Sequence, residues 1–150
     1  MSASLNHTEI AARIPHAGNM CLLDSMQTAS ETDIVCSAVS HQSPDNPLRS
    51  HGRLGAAVAV EYAAQAIALH GSILNADLEV RAKGGRLITV RQLVLHCPRF
   101  DDLASTLTVR ATRLMGDVAN VIYSFDVSVE GRMIASGRAG VMLVANESAQ

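Results

Sequence analysis

A carboxylate and an amide interrupt the most apolar segment of the chain. Residues 55–71 read GAAVAVEYAAQAIALHG, in which Glu61 and Gln65 stand among Ala, Gly and larger apolar residues. Burial disfavours a charged carboxylate, so a buried Glu61 would be held partly protonated and could donate as well as accept a proton. General acid–base catalysis requires such a group. Glu61 is therefore the first catalytic candidate, and the alternative is that it points outward from a partly buried helix.

Two more polar residues follow in the same segment. Gln65 lies four residues after Glu61, one turn along the same helix face. Its amide could hydrogen-bond to the Glu61 carboxylate or to nearby backbone and so fix a rotamer. His70, near the end of the segment, is expected to contact the last carbonyls of the helix.

The elements that position these residues follow from the hydrophobic pattern. The Ala-rich segment predicts one long helix over 54–74, because Ala is the best helix former and Gly71 lies near its end. A loop is predicted over 41–53, a short helical turn or arm over 1–13, and a connection over 75–86. Strands are predicted at 20–29, 32–40, 87–97, 104–114, 118–129 and 132–144, the last two joined by a hairpin turn at Glu130-Gly131.

This β-β-α-β-β-β-β order predicts an α+β domain in which a curved antiparallel sheet wraps around one helix. A single helix cannot cover such a sheet unless the sheet curls around it. Small side chains all round the helix would let strands approach it on several sides. The length of 150 residues fits one domain.

Composition excludes several classes of function. The net charge is −2 and aromatic residues make up 3% of the chain, which argues against nucleic-acid binding. Cys21, Cys36 and Cys97 lie far apart without zinc-ligand spacing, so we expect reduced core thiols, no metal site and a cytoplasmic protein. Polar residues interrupt the most apolar run, so no membrane span is expected.

Three motifs resemble those of a known family. IPHAGNMCLLD (14–24) is similar to an N-terminal signature of the hotdog-fold 3-hydroxyacyl-ACP dehydratases, GAAVAVEYAAQA (55–66) to their central helix, and RQLVLHCPRFDDL (91–103) to a later strand. The chain most resembles the dehydratase-like proteins of aryl polyene gene clusters, where NPLR and GRL precede the helix. The resemblance covers about 14–144 and implies a single hotdog domain over 1–150.

The resemblance assigns roles to residues around the helix. Glu61 takes the position of the catalytic acid, and Gln65 that of the amide after it. Gly55 and Ala56 fall where backbone N–H groups would hold the thioester carbonyl, a role that free N–H groups at a helix start can fill. Asn46, in the NPLR segment, is taken as a further substrate-binding residue.

The catalytic histidine is where the sequence departs from the family pattern. The family's histidine position, fourteen residues before Glu61, is occupied by Pro47. His51, ten residues before Glu61, becomes the candidate base if the loop is shorter here, and His41 is a weaker alternative. His16, in the first motif, is expected to be structural.

The resemblance also implies substrate and partners. The substrate would be an acyl thioester on acyl carrier protein, with no cofactor beyond the carrier's phosphopantetheine. The chain would form a homodimer, a higher homo-oligomer or a heterodimer with a related hotdog subunit, with the active site between subunits. Arg49, Arg53, Lys83 and Arg86 could meet the phosphopantetheine or an acidic carrier, or be scattered surface charge.

Three functions follow as hypotheses. The leading one is dehydration of a (3R)-3-hydroxyacyl thioester to the trans-2-enoyl thioester, in fatty acid or polyene type biosynthesis. The second is thioester hydrolysis, because hotdog thioesterases also place a carboxylate on this helix and need no histidine. The third is a non-catalytic subunit that binds acyl chains or carrier protein, or completes a heterodimer with an active subunit.

Overall fold

The computed structural model of the chain describes residues 4–14, 18–74, 82–117 and 119–145. Two α-helices, α1 (His7–Ala11) and α2 (Ala59–Leu74), accompany one sheet, and a 3₁₀ turn at Ala56–Val58 leads into α2. The seven strands are β1 (Leu5–Asn6), β2 (Ser25–Ala29), β3 (Asp33–Ala38), β4 (Ala82–Leu95), β5 (Leu107–Gly116), β6 (Asn120–Val129) and β7 (Arg132–Ala145). Each of the six predicted strands is present at overlapping positions.

All strand pairings are antiparallel, in the order β1-β2-β3-β5-β6-β7-β4. The predicted turn between β6 and β7 is confirmed, and Glu130 and Gly131 there have φ of 50° and 79°. Two successive residues with positive φ are what a type I′ turn requires, and its twist matches that of the flanking strands. β4 follows α2 in the chain and lies at the end of the sheet beside β7.

The core lies between α2 and the inner face of the sheet. The buried residues of β6 are Val121, Tyr123, Phe125, Val127 and Val129. They alternate with more exposed residues, as expected for a sheet with one covered face. From α2, Ile67 and Leu69 are buried almost completely, and burial of each such side chain contributes roughly 1.5–3 kcal/mol. The α+β architecture expected of a hotdog fold is confirmed.

The structure differs from the prediction at two segments. β1 adds a short strand before α1, and α1 begins with a capping box in which the Asn6 and Glu9 side chains accept from each other's backbone N–H. β4 begins at Ala82, so Gly84-Gly85 lies inside a strand, at a register irregularity of the kind where glycine is tolerated. The rest of the predicted connection, 75–81, lies outside the described residues.

The central helix has the length and hydropathy of a membrane span. Among the described residues, Ala56–Leu74 is the only helix that meets this test. A core helix of a soluble protein meets it equally well, and α2 packs against β3, β5 and β6 of its own sheet.

Candidate active site

The entry to the central helix, residues 54–57, was expected to hold a thioester carbonyl. Backbone hydrogen bonds fix this entry to the loop that follows β4. The Ala56 N–H donates to the Pro98 carbonyl (3.1 Å), and the Phe100 N–H donates to the Leu54 carbonyl (2.8 Å). Between these two bonds Gly55 is extended, with φ −62° and ψ 148°. The Ala56 N–H is therefore already used, which corrects its predicted role as a substrate contact.

Two other N–H groups at this entry fit the predicted role. Within the described residues, the N–H groups of Gly55 and Ala57 take part in no hydrogen bond. Both residues are exposed, and a Cβ added at Gly55 would meet open space. The first N–H groups of a helix lack intrahelical partners, so these donors remain available to an oxygen outside the chain.

Asp101 holds the same entry from the loop side. Its Oδ1 accepts from the Leu54 N–H (2.8 Å) and from Arg99 Nε (2.9 Å), and its Oδ2 pairs with Arg99 Nη2. The Arg99 guanidinium, followed by the Leu54 N–H, holds the pKa of Asp101 well below its ordinary value. The carboxylate stays ionised, and its charge-assisted bonds fix the residue that precedes Gly55.

Glu61 is exposed in the single chain, so of the two alternatives that the sequence left open the outward-pointing carboxylate is the one observed. The chain's own sheet covers one face of α2, and Glu61 lies on another. Its neighbours on that face are small: Ala57 is exposed, and Ala64 and Ala68 are half-buried. We call Ala57, Glu61, Ala64 and Ala68 the small-residue strip. One face of α2 packs on the sheet, whereas this other face, also made of small residues, lies uncovered in the single chain.

Gln65, in contrast, is only 1% exposed and faces the protein interior. Its Oε1 accepts from the Leu22 N–H (2.8 Å), and its Nε2 donates to the Met20 carbonyl (2.6 Å). Of the two partners that the sequence left open, the backbone is the one observed, and Glu61 is not. Gln65 holds the Met20–Leu22 segment against α2, and its burial corrects the prediction that it binds substrate.

Asn46 is likewise used inside the protein. Its Nδ2 donates to the Ser40 carbonyl (2.9 Å) and the Tyr62 hydroxyl (3.3 Å), and its Oδ1 accepts from the Leu48 N–H (2.9 Å). Ser40 Oγ donates to the Leu22 carbonyl, so the Tyr62 hydroxyl donates to Ser40 Oγ. Asn46 therefore supports the loop over α2, which corrects its predicted role in substrate binding.

His51 lies at the tip of a two-residue turn. Ser50 and Arg53 exchange two backbone hydrogen bonds (2.8 and 3.0 Å), and His51 and Gly52 between them have φ of 54° and 72°. The His51 side chain is exposed, with Nδ1 3.1 Å from Ser50 Oγ. Within the described residues, no hydrogen bond joins His51 to Glu61, so one chain alone does not bring the two candidates into contact.

Two other histidines are fully buried. His41 Nε2 donates to the Leu103 carbonyl (3.1 Å), and its buried Nδ1 has no hydrogen-bond partner among the described residues, so its role as the alternative base stays a prediction. His70 Nε2 donates to the Ser30 carbonyl (2.7 Å) and Nδ1 accepts from the Tyr123 hydroxyl, so the expected contact with helix carbonyls is replaced by contacts across the sheet. Burial lowers the pKa of both histidines.

The remaining candidates divide into described and undescribed residues. Arg49 is taken up by backbone carbonyls, and Arg53 is exposed. His16 and the side chains of Lys83 and Arg86 lie outside the described residues. Where the structure describes the chain, no three His, Cys, Asp or Glu residues are grouped to hold a metal ion. The three cysteines are free thiols, buried or half-buried, and burial raises their pKa.

The roles of three residues that shape the site were missed at the level of sequence. The Ala57 N–H could have been found, because every helix start leaves unpaired donors. Asp101 lies in the loosely matched third motif, where only a carboxylate after a strand hinted at a cap. Arg49 was named only as a possible contact for the phosphopantetheine or an acidic carrier, because its observed partners are backbone carbonyls that no side-chain pattern reveals.

Comparison with known proteins supports the fold and identifies a family. Residues 8–150 match the ApeP-like family, described as ApeP dehydratase. The chain is similar to one in the solved structure of the dehydratase heterocomplex ApeI:P from Xenorhabdus doucetiae, with 23% identity, 93% of this chain and 92% of that chain covered, and a TM-score of 0.82.

More distant solved structures have the same fold. One is a thioesterase from Haemophilus influenzae, with 14% identity, 93% and 91% coverage of the two chains and a TM-score of 0.65. Another is the HP0420 homologue from Helicobacter felis, with 11% identity, 89% and 85% coverage and a TM-score of 0.61. No curated protein sequence matches. These likenesses show the hotdog fold, whereas the family match spans nearly the whole sequence. The chain belongs to the ApeP-like dehydratase family.

Proposed function

We propose that this protein dehydrates a (3R)-3-hydroxyacyl thioester on acyl carrier protein, with an active site that a second hotdog subunit completes. The observation that carries the proposal is the position of Glu61. It is an exposed carboxylate on the small-residue strip, one turn along the helix from an entry with unpaired N–H groups. Family membership supplies the reaction class, and this face of α2 supplies the groups that the reaction needs.

A second subunit is part of the proposal because the single chain leaves Glu61 in solvent. Small side chains around it allow another protein surface to approach the helix closely. Burial by that surface would exclude water from the carboxylate and the reacting groups. The solved Xenorhabdus doucetiae structure is a dehydratase heterocomplex. We extend this to the present chain and propose a related hotdog subunit as its partner, with a homodimer as the alternative assembly.

The proposed reaction needs a base, an oxyanion site and an acid. His51 removes a proton from C2, and the electron pair shifts towards the thioester carbonyl, whose oxygen gains negative charge. The N–H groups of Gly55 and Ala57 stabilise that oxygen, helped by the positive end of the helix dipole. Glu61 then donates its proton to the C3 hydroxyl, the C3–O bond breaks and water leaves.

The products are the trans-2-enoyl thioester and one water molecule. The proton on His51 returns to Glu61 or to solvent, so the reaction balances without a cofactor. We place the reaction in the cytoplasm, in keeping with three free thiols.

The test is intact mass spectrometry of a 3-hydroxyacyl-ACP incubated with the protein, alone and with a related hotdog subunit from the same organism. The proposal predicts loss of one water with the wild type and no loss with Glu61→Gln. Glu31→Gln is the matched control, because Glu31 is an exposed carboxylate in the turn between β2 and β3. Release of the whole acyl chain would instead assign thioester hydrolysis. Water loss that appears only with the second subunit and is unchanged by Glu61→Gln would assign a non-catalytic subunit.

The base is tested separately. His51→Ala should reduce dehydration strongly, whereas His96→Ala, another exposed histidine, should not. A His51→Ala variant with the wild-type rate would place the base on the partner subunit and leave the acid on this chain.

A further inference from the structure

The turn that carries His51 has an unfavourable residue at its tip. A type I′ turn places both central residues in the left-handed region, where Asn-Gly is the favoured pair. His51 occupies the first of these positions with φ 54°. Its Cβ makes this conformation costly, and Gly or Asn would adopt it more easily. A residue kept in such a conformation must be held there by its surroundings.

The Arg49 side chain hydrogen-bonds to this turn. Its Nη1 donates to the Gly52 carbonyl (2.9 Å), next to His51 in the turn. Its Nε donates to the Ser43 carbonyl (2.8 Å) and its Nη2 to the His41 carbonyl (3.2 Å). One guanidinium therefore joins the exposed turn to the 3₁₀ segment Ser40–Gln42, and to Ser43 directly after it, at the start of the same loop.

That 3₁₀ segment is itself anchored in the protein. His41 is fully buried and donates to the Leu103 carbonyl. Gln42 Nε2 donates to the carbonyls of Leu103 (3.2 Å) and Ala104 (2.6 Å). A chain of hydrogen-bonded residues therefore connects the loop between β4 and β5, through His41 and Arg49, to the turn at His51.

The chemistry of these contacts requires arginine. Within the described residues Arg49 forms no ion pair, and three of its N–H groups go to carbonyls that point from different directions. A planar guanidinium presents donors in a fixed fork, whereas a lysine ammonium is a single flexible point of charge. Lysine could keep the charge and one contact, but it could not hold all three carbonyls in this geometry.

We infer that Arg49 is the positioning residue for His51, because its guanidinium holds the turn that carries the base at a fixed place beside the entry to α2. The inference rests on the proposed function, in which His51 removes the C2 proton. Arg49 touches no reacting atom and acts only through the turn. Three of its N–H groups are already used by backbone carbonyls.

The test is a double-mutant cycle on the active assembly, with kcat and KM for dehydration of a 3-hydroxyacyl-ACP. Arg49→Ala should lower kcat by about 10- to 100-fold, because a small misplacement of a catalytic group is costly. KM should stay within about twofold, since Arg49 does not contact substrate. The kcat of Arg49→Lys should lie between those of the wild type and Arg49→Ala. In a His51→Ala background, Arg49→Ala should have no further effect on kcat.

A merely structural role predicts a different pattern. Arg49→Ala would then lower kcat by the same factor with and without His51, and that result would overturn the inference. Arg132→Ala is the matched control, because Arg132 is exposed and forms no hydrogen bond among the described side chains. If thermal melting shows that Arg49→Ala is unfolded, the same cycle with Arg49→Lys decides the question, because its expected loss of kcat must also vanish without His51.

Failure of the inference can be told from failure of the proposed function. A wild-type rate in His51→Ala, with Glu61→Gln inactive, would overturn the role of Arg49 and leave the dehydratase in place. Absence of water loss in the wild-type assembly would remove the proposed function and this inference together.

Discussion

The two ends of α2 carry polar residues in similar apolar surroundings and use them in opposite ways. At the C-terminal end, His70 is buried, with one ring nitrogen bonded to the Ser30 carbonyl and the other to the Tyr123 hydroxyl. At the N-terminal end, Glu61 is exposed and takes part in no hydrogen bond or ion pair of the described residues. His51, on the turn before the helix, is also exposed.

This difference separates structural from functional polar groups. A buried polar group whose donors and acceptors are all paired stabilises one arrangement of the fold. A polar group left unpaired on an apolar face adds little to the stability of the single chain and remains free to act on another molecule. Both kinds of residue interrupt the same Ala-rich segment, so composition alone does not distinguish them.

The largest expected effect is at the N-terminal end. Glu61→Gln should lower kcat for dehydration by about 10²–10⁴-fold, because the amide cannot deliver a proton to the leaving hydroxyl. The free energy of unfolding should change by no more than about 0.5 kcal/mol, since the side chain is exposed. Steady-state kinetics and urea denaturation measure the two quantities. A variant that loses stability instead of activity would place Glu61 with the structural residues.

At the C-terminal end we expect a loss of stability while activity is kept. His70→Ala should lower the free energy of unfolding by roughly 2–4 kcal/mol, because it leaves a cavity and removes the partners of the buried Tyr123 hydroxyl and of the part-buried Ser30 carbonyl. The kcat of the folded fraction should remain close to that of the wild type. Urea denaturation, with exposed His96→Ala as control, measures the loss. Equal stability of the two variants would show that the buried network contributes little.

The secondary-structure elements that depend on local periodicity were predicted well from the sequence. The six strands, the long helix and the turn at Glu130-Gly131 follow from alternation, Ala content and turn chemistry, all of which act over a few residues. The capping box of α1 and the start of β4 were missed, because a short helix and a glycine-containing strand give weak patterns. The fold class was accessible because one helix and many strands admit few arrangements.

The site was less predictable, because its geometry depends on partners distant in sequence. Gln65 and Asn46 have the residue types of substrate contacts, yet backbone groups and Tyr62 occupy them. The Ala56 N–H is taken by the Pro98 carbonyl. The exposure of Glu61 depends on which helix face the sheet covers, and a segment that is apolar all round does not reveal it.

A smaller expected effect is the pH dependence of stability that His70 contributes at the C-terminal end of α2. Burial lowers the pKa of His70, the hydrogen bond to the Ser30 carbonyl opposes this shift, and the charges of Arg113 and Asp33 have smaller and opposite effects. The unfolded chain then takes up protons before the folded one, so stability should fall as pH drops below about 6.5, the ordinary value for histidine. The pKa of His41 is lowered as well, so His70→Gln should remove only part of the dependence of stability on pH. Urea denaturation at several pH values measures it. An unchanged slope in His70→Gln would show that His70 contributes nothing to the pH dependence.

The smallest effect concerns the strained turn. His51→Gly should raise the free energy of unfolding by roughly 0.5–1 kcal/mol, because glycine adopts φ 54° without the penalty of a Cβ. Gly52→Ala, in the same turn at φ 72°, is the matched opposite and should lower stability by about 1 kcal/mol. Thermal melting of both variants checks the pair.

The activity of His51→Gly completes the comparison. If it is more stable and inactive, the N-terminal end of α2 holds its base at the expense of stability, whereas at the C-terminal end both ring nitrogens of His70 are paired and its backbone carries no positive φ. If His51→Gly is less stable than the wild type, the His51 side chain itself stabilises the turn, and its contact with Ser50 Oγ is the interaction that outweighs the strain. His51 would then belong with His70 among the structural residues.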